Sequence, residues 1–258
     1  MLYPRKEKKT PYHIGINGIT GKMGERIFFL LLKEKNLLFA GGTTKSKKNK
    51  GKDIGSFFGQ APLGKKIDYS IDSLAKKVDL LIDFSSVEAL PSLITAATTY
   101  SIPLVIGTTG FSTKQLKDLS SAAKKIPILL CYNFSLGIAL CKNLLKKIAY
   151  HFPFHTISIT EEHHKEKKDC PSGTALLLKK EISDLVPQKE ISIHSIRKGK
   201  TIGKHSISFE SEKEKIILTH TALNRDIFAK GAIAASHFLL SRPPSLYSLD
   251  DVMESYNI

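Results

Sequence analysis

Tryptophan is missing from this chain, and cysteine and methionine occur only three times each in 258 residues. Leu, Ile and Phe must therefore supply the bulk of a core that 41% hydrophobic residues can fill. Cys131, Cys141 and Cys170 have no metal-ligand spacing and leave one thiol over in any disulfide scheme. Such usage predicts a reducing, cytoplasmic setting. No apolar run approaches the ~18 residues of a membrane span, so no membrane partner is expected. The basic segment Met1–Thr10 lacks the apolar stretch of a secretory signal and is expected to be a short disordered tail. Acid is also scarce, with 24 acidic against 39 basic residues and a formal charge of +15. The excess invites a nucleic-acid reading, but the lysines are scattered and no helix-turn-helix or RNA-recognition signature accompanies them. A small anionic ligand suits the charge equally well, and no nucleic-acid partner is expected.

What is present gathers around Glu161 to Ala175. An alternating run, His155 to Thr160, reads as a strand, and Ala175 to Leu185 reads as a helix. Between them lie His163, His164, Lys165, Lys167 and Lys168, followed by Pro171-Ser172-Gly173-Thr174. Hydroxyls and free amides at a helix start receive anions, and the histidines and lysines beside them can donate protons. A small substrate carrying carboxylates and needing a proton would suit such a site. Taken alone, Glu161 to Lys168 reads equally as a solvated charged turn with Glu161 and Lys165 paired. Zinc is not expected, since neither a His-Glu-x-x-His nor a paired Cys-x-x-Cys spacing is present.

A second feature lies near the start. Tyr12 to Asn17 reads as a strand, Gly18-Ile19-Thr20-Gly21-Lys22-Met23-Gly24 as a tight turn, and Glu25 to Lys35 as an amphipathic helix. Strand, glycine turn and helix N-terminus in that order let backbone approach a pyrophosphate. A glycine-rich βα turn without a ligand is the plainer alternative. The next strand, Leu37 to Ala40, ends at Gly41-Gly42-Thr43-Thr44. An NAD site usually has an acid there for the ribose hydroxyls, yet none occurs between Glu34 and Asp53. Five lysines fall between 45 and 52 instead, which favours a 2′-phosphate.

Alternation continues through strands at Val78–Phe84, Ile102–Ile106 and Ile126–Leu130, with helices at Ser86–Thr99 and Ser112–Lys124. Repeated βα units predict a Rossmann-like, doubly wound parallel sheet of the α/β class, whose strand ends border the ligand. After a helix from about Gly137 to Tyr150 the pattern changes. Strand-like runs at 155–160, 191–197, 205–210 and 215–221 predict an α+β second domain with more antiparallel pairing. A last helix, Asp226 to Leu240, and the tail to Ile258 close the chain.

Taken together, Glu161-x-His163-His164-x-x-Lys167-x-Asp169-x-Pro171-Ser172-Gly173-Thr174-Ala175 resembles the 4-hydroxy-tetrahydrodipicolinate (dihydrodipicolinate) reductase family. Gly18-x-x-Gly21-Lys22-Met23-Gly24, Asp83-Phe84-Ser85, Gly107-Thr108-Thr109-Gly110-Phe111 and Asn133-Phe134-Ser135 support the resemblance. So do His194-Ser195-x-Arg197-x-Gly199, Gly203-x-His205 and Arg225-x-x-Phe228-Ala229-x-Gly231-Ala232. The resemblance, covering Ile14 to about Asp251, implies hydride transfer from a nicotinamide cofactor to a cyclic unsaturated dicarboxylate on the diaminopimelate route to lysine. By position, His163 matches the family's catalytic donor and Lys167 its second donor. His164, with Ser172, Gly173 and Thr174, matches its carboxylate-holding residues. Positions expected to line the cofactor are Gly18, Ile19, Thr20, Gly21, Lys22, Met23, Thr44, Lys45, Phe84, Gly107, Thr108, Thr109, Cys131, Tyr132, Asn133 and Phe134. NADPH is the expected cofactor, with NADH as the lesser one.

The family further implies a dinucleotide-binding domain over 1–134, a substrate-binding and oligomerisation domain over 135–234, and a returning segment over 235–258. A homotetramer is expected. Three positions depart from the family pattern: the short segment between Pro187 and Ile191, Lys204 where Glu is common, and Cys170 where Ala is frequent. Two other readings stay open. One is a different Rossmann oxidoreductase with an unrelated second domain, and the other a cofactor-sensing binding protein without turnover. The pairing of His163 and Lys167 with Pro171 to Ala175 argues against both, since a pure sensor needs carboxylate binders more than proton donors.

Overall fold

The computed structural model describes residues 11–152 and 155–255; the basic segment Met1–Thr10 lies outside them. The described residues form two compact units, one from residues 11–134 with 228–255 and the other within residues 135–227.

The first unit begins with β1 (Tyr12–Asn17), α1 (Lys22–Leu31) and β2 (Leu37–Thr43). Two short helices, α2 (Ile54–Phe57) and α3 (Ile71–Ala75), precede β3 (Leu80–Asp83) and α4 (Leu90–Tyr100). Then come β4 (Leu104–Ile106), α5 (Thr113–Ala122) and β5 (Pro127–Leu130). All pairings of this sheet are parallel. Leu80 to Ile82 and Leu104 to Ile106 are fully buried, as strands covered on both faces must be. Ser112 starts α5 with a reciprocal capping box to Gln115, which satisfies two otherwise orphaned amides.

Several boundaries differ from the sequence pattern for identifiable reasons. β2 runs on to Thr43 because Gly41 and Gly42 pair with Gly15 and Ile16; without side chains they show no alternation. α1 starts at Lys22, three residues before the first clear helical period. The helix expected from Ser86 splits into a 3₁₀ turn at Val87–Ala89 and then α4, with a proline in the first turn of α4. α2 and α3 are too short to show a period.

The second unit holds α6 and the elements to β9: α6 (Leu136–His151), β6 (Thr156–His163), α7 (Gly173–Ser183), β7 (Ile191–Arg197), β8 (Gly203–Glu210) and β9 (Lys215–Ala222). The sheet order is β7-β6-β8-β9. β6 pairs parallel with β7 and antiparallel with β8, and β8 pairs antiparallel with β9. One face carries Ile157, Ile159, Ile191, Ile207 and Phe209 against Leu145, Leu178 and Ile182 of α6 and α7. The other face is polar, with Ser158, Thr160, Ser192, Ser206 and Thr219. This is the period-two division of a sheet covered on one side.

α8 (Asp226–Leu239) then carries the chain back to the first unit, where β10 (Ser245–Tyr247) pairs parallel with β5. The six-stranded order is therefore β10-β5-β4-β3-β1-β2. α9 (Leu249–Glu254) follows, capped by Ser248. Among the described residues no helix is long and apolar enough to cross a membrane.

Candidate active site

In the first unit, the carboxyl ends of β1, β2, β3 and β4 are fastened by one buried carboxylate. Asp83 Oδ1 accepts from Asn17 Nδ2 at 2.6 Å and from Ser85 Oγ at 2.6 Å. Its Oδ2 accepts from Thr108 Oγ1 at 2.6 Å, and Thr43 Oγ1 donates to Asn17 Oδ1 at 2.7 Å. Burial pushes the Asp83 carboxyl above its ordinary range, and the three donors oppose that only in part. The β1–α1 turn closes on this clasp, because the Gly18 and Ile19 amides both donate to Thr43 O at 3.0 Å. Gly18 has φ +85, and a Cβ there would sit 2.7 Å from Phe84 O. Only glycine fits such a turn. Gly21 precedes α1 as its N-cap and offers no side-chain cap, which leaves the first amides of α1 available to an anion.

Over this turn lies a groove of about 260 Å³, lined by Gly18, Thr20, Gly21, Thr44, Lys45 and Phe84 among others. Those six expected positions are thus brought together. The groove also takes in Tyr69 and Ile71, from a segment that carried no motif. The other expected cofactor positions are placed differently. Ile19 is fully buried beneath the turn. Lys22 is exposed and Met23 half-buried. Thr108 turns its hydroxyl to Asp83, while Thr109 is exposed. Gly107 lies against the Phe84 ring, and Phe84 packs on Phe134 with centroids 5.3 Å apart. Cys131 Sγ donates to Asn133 O at 3.1 Å, and Tyr132 is 57% exposed.

At the end of β2 the hydroxyls of Thr43 and Thr44 are committed, Thr43 to Asn17 and Thr44 to Thr20 at 2.9 Å. The acid that folding brings beside them is Asp68, whose backbone pairs with Gly42 and Thr44. Its carboxylate accepts from the Tyr69 and Ser70 amides.

The second unit builds its site from register. Glu161 and His163 are two apart on β6, so they share the core face. Across the sheet, His163 pairs with Arg197 of β7 and Glu161 with His205 of β8. Four titratable side chains are thereby gathered at one end of one face. Glu161 Oε1 accepts from Arg197 Nη2 at 2.7 Å and from the Ser172 amide at 3.3 Å. Its Oε2 meets His163 Nδ1. Ser172 also caps α7, accepting from the Ala175 amide at 3.2 Å, and its hydroxyl meets His205 Nε2 at 3.2 Å. The rings of His163 and His205 stand edge-on, 5.2 Å apart.

Glu161 is fully buried on β6, so the solvated-turn reading fails for Glu161 to His163 and for the Glu161–Lys165 pair, while Lys165 and Glu166 do form an exposed turn. The partner of Glu161 is Arg197. Lys167 Nζ donates to both carboxylate oxygens of Asp169 at 2.7 Å. His164 is half-buried, and its amide donates to Thr201 O at 2.8 Å. Gly173 is exposed and Thr174 half-buried in the first turn of α7.

The electrostatics follow from these contacts. Burial would raise the Glu161 carboxyl, but the Arg197 guanidinium, aided by Ser195 and His163, lowers it to about 2. Burial lowers His163, with Glu161 pulling the other way. Burial, then repulsion from His163, lowers His205 to about 4. Donor atoms of Glu161, His163 and His205 lie within 4.8 Å of one another, close enough to suggest a metal. Both carboxylate oxygens are engaged, however, and Arg197 puts a positive charge where a divalent ion would need a negative one. Arg197 and His205 are the residues to which sequence reasoning gave no role. Their signal was the period of two in β7 and β8, which becomes informative only once the register is known.

Known proteins match this arrangement along nearly its whole length. The family description "Dihydrodipicolinate reductase, N-terminus" matches residues 12–134, and "Dihydrodipicolinate reductase, C-terminus" matches residues 137–253. A 4-hydroxy-tetrahydrodipicolinate reductase of Caldanaerobacter subterraneus is 33% identical over 256 residues, covering 93% of this chain and 97% of the relative. The enzyme of that name from Rickettsia rickettsii is 36% identical over 253 residues, covering 93% and 98%. Among solved structures, a dipicolinate-bound dihydrodipicolinate reductase from Paenisporosarcina superposes with TM-score 0.79 at 25% identity, covering 93% of this chain and 98% of the other. Matches to both halves, in order and at this coverage, mean that the chain belongs to the dihydrodipicolinate reductase family.

Proposed function

We propose that this protein reduces 4-hydroxy-tetrahydrodipicolinate to tetrahydrodipicolinate, on the diaminopimelate route to lysine, with loss of water. In this reading the first unit holds a pyridine nucleotide and the second holds the dicarboxylate. The observation that carries it is the setting of His163 and Lys167 beside the Ser172-capped start of α7. Two proton donors there adjoin backbone amides suited to a carboxylate. The groove over the Gly18 turn fits the pyrophosphate of a dinucleotide, because the turn is free of side chains where backbone must approach and α1 has no side-chain cap.

A bound reduced nicotinamide supplies the hydride. The protein's own part is to hold the carboxylates, through His164, Ser172, Gly173 and Thr174, and to deliver a proton. Hydride reaching one end of the conjugated imine leaves negative charge toward the ring nitrogen, where His163 supplies a proton. Lys167, held by Asp169, is the second donor and adds a positive charge beside the dianionic substrate.

NADPH is the preferred cofactor in this reading, because Lys45 lines the groove just past Thr44 and no side-chain acid does. A homotetramer would use the polar outer face of the second unit's sheet, where Ile196 and Ile217 are exposed among serines and threonines. No disulfide joins Cys131, Cys141 and Cys170, which suits a cytoplasmic setting.

The test is a single-turnover assay that follows NADPH absorbance with enzymatically generated substrate. Stoichiometric oxidation of the cofactor is expected. Tight cofactor binding without oxidation would favour a sensor instead.

A further inference from the structure

An ionised carboxylate can only accept hydrogen bonds. Glu161 is in that state: it is fully buried, Arg197 Nη2 and the Ser172 amide both point at Oε1, and Oε2 faces His163 Nδ1. The proton of the shared contact must therefore sit on His163 Nδ1. In neutral His163 the lone pair is then left on Nε2. We infer that Glu161, backed by Arg197, is a positioning residue that fixes the tautomer of His163, so that Nε2 is the nitrogen that takes up and delivers the proton.

The surroundings agree. The His163 side chain keeps 8% exposure, and β8 begins with Gly203 beside Nε2. A Cβ on Gly203 would lie 3.1 Å from that nitrogen, closer than nearly all side chains tolerate. Glycine here keeps the working nitrogen uncrowded. The charged groups facing the ring are Glu161, Lys167 and Arg197, with His205 edge-on at 5.2 Å. Two cations disfavour the imidazolium and one carboxylate supports it, so Glu161 is what keeps a protonated donor accessible. When Nε2 gives up its proton, the bond from Nδ1 to Glu161 persists. The ring returns to the same tautomer without turning.

This inference rests on His163 being the proton donor, and the two are separable by experiment. In Glu161→Gln, Arg197 retains the amide oxygen and the amide NH₂ faces His163. A donor there requires a lone pair on Nδ1, so the proton moves to Nε2. Nitrogen-15 NMR of the imidazoles, with His163 assigned by its loss in His163→Gln, should show Nδ1–H in the wild type and Nε2–H in Glu161→Gln. Turnover of Glu161→Gln should fall about a hundredfold or more while KM stays within about threefold, as for other triad-type orienting carboxylates. The high-pH decline in rate should move to lower pH. Gly203→Ala should lower kcat with KM retained.

An Nε2–H tautomer in the wild type overturns the inference, as does Glu161→Gln with wild-type turnover and pH profile. If Glu161→Gln does not fold, the wild-type tautomer and Gly203→Ala decide between the same outcomes. Normal turnover in His163→Gln would instead defeat the proton-donor reading itself, whatever tautomer is seen.

Discussion

Each unit of the protein buries one carboxylate at the end of a strand, and the two behave in opposite ways. Asp83 is 2% exposed and Glu161 fully buried, so burial does not distinguish them. The difference lies in the partners. Asp83 is held by Asn17, Ser85 and Thr108, all neutral, and its carboxyl is pushed up. Glu161 faces a guanidinium and is pulled down to about 2. Neutral donors can fasten strand ends without holding a charge, whereas a cation turns the same burial into a fixed negative charge. The first arrangement suits a scaffold that shapes a groove, and the second suits one that orients a proton donor.

The most severe way to break this comparison is to remove the donors from one side only. If they deliver the proton as proposed, Lys167→Ala and His163→Gln should each lower turnover about 10²- to 10⁴-fold, roughly 3–5 kcal/mol in barrier. NADPH affinity should stay near that of the wild type, since the groove belongs to the other unit. Steady-state rates beside a cofactor titration make the check, and near-normal turnover in either variant would remove that residue from the chemistry.

Acid should expose the second unit first. His205 falls from an unfolded value near 6.5 to about 4 in the fold. The unfolded chain therefore binds a proton between these values that the folded chain does not, and stability is lost as pH falls from 6.5 to 4. The loss is about 3 kcal/mol at ~1.4 kcal/mol per pH unit. Glu161 adds a further loss below its ordinary 4.5, toward about 2. Asp83 carries the opposite sign: its raised carboxyl favours the protonated fold, so its contribution weakens as pH rises through the folded value. Urea unfolding across pH 4 to 7 should show the loss in the wild type and a flatter curve in His205→Asn. An equal slope in both would mean that His205 is not the group responsible.

Smaller effects sharpen the contrast at the ligands. Thr174→Val should weaken substrate binding ten- to a hundredfold, about 1.5–3 kcal/mol for a charge-assisted hydrogen bond. Cofactor affinity should be untouched. Titration with dipicolinate tests this, and unchanged affinity would take Thr174 out of the site. In the first unit, an ammonium–phosphate contact at Lys45 should favour NADPH over NADH about ten- to thirtyfold, roughly 1–2 kcal/mol, and less at high salt. Glu88, whose carboxyl is lowered chiefly by the Ser86 hydroxyl and least by Lys45, is the acid near that charge. Comparing kcat/KM for both cofactors in the wild type and Lys45→Ala measures the contact. Equal values at low salt would show that Lys45 does not read the phosphate.

The fold was largely legible because its strands differ in kind. Leu80 to Ile82 and Leu104 to Ile106 are unbroken apolar runs, as strands buried on both faces require, while β6 to β9 alternate. Gly41 and Gly42 hid the end of β2, and β10 is a three-residue strand with no pattern of its own. At the candidate site, His163, Lys167 and Ser172 were legible because they lie within one short stretch. Arg197 and His205 come from strands 34 and 42 positions beyond His163, and reach Glu161 only through sheet register. The Asp83 clasp was invisible for the same reason: Asn17, Thr43, Ser85 and Thr108 are joined by strand order, not by spacing.

The return of the chain through α8 has a consequence for how the molecule is made. β10 is translated after all of residues 135–227, yet it completes the β5 edge of a sheet whose other strands precede residue 131. During synthesis that edge offers unpaired amides and carbonyls to any passing strand until its own partner emerges. The second unit thus behaves as a long insertion within the first, able to complete its own fold while its host waits. The entropy of closing so long a loop is moderate once the inserted unit is compact, because closure cost rises only with the logarithm of loop length. A chain stopped at residue 227 would carry a finished four-stranded sheet and a five-stranded one with an open flank.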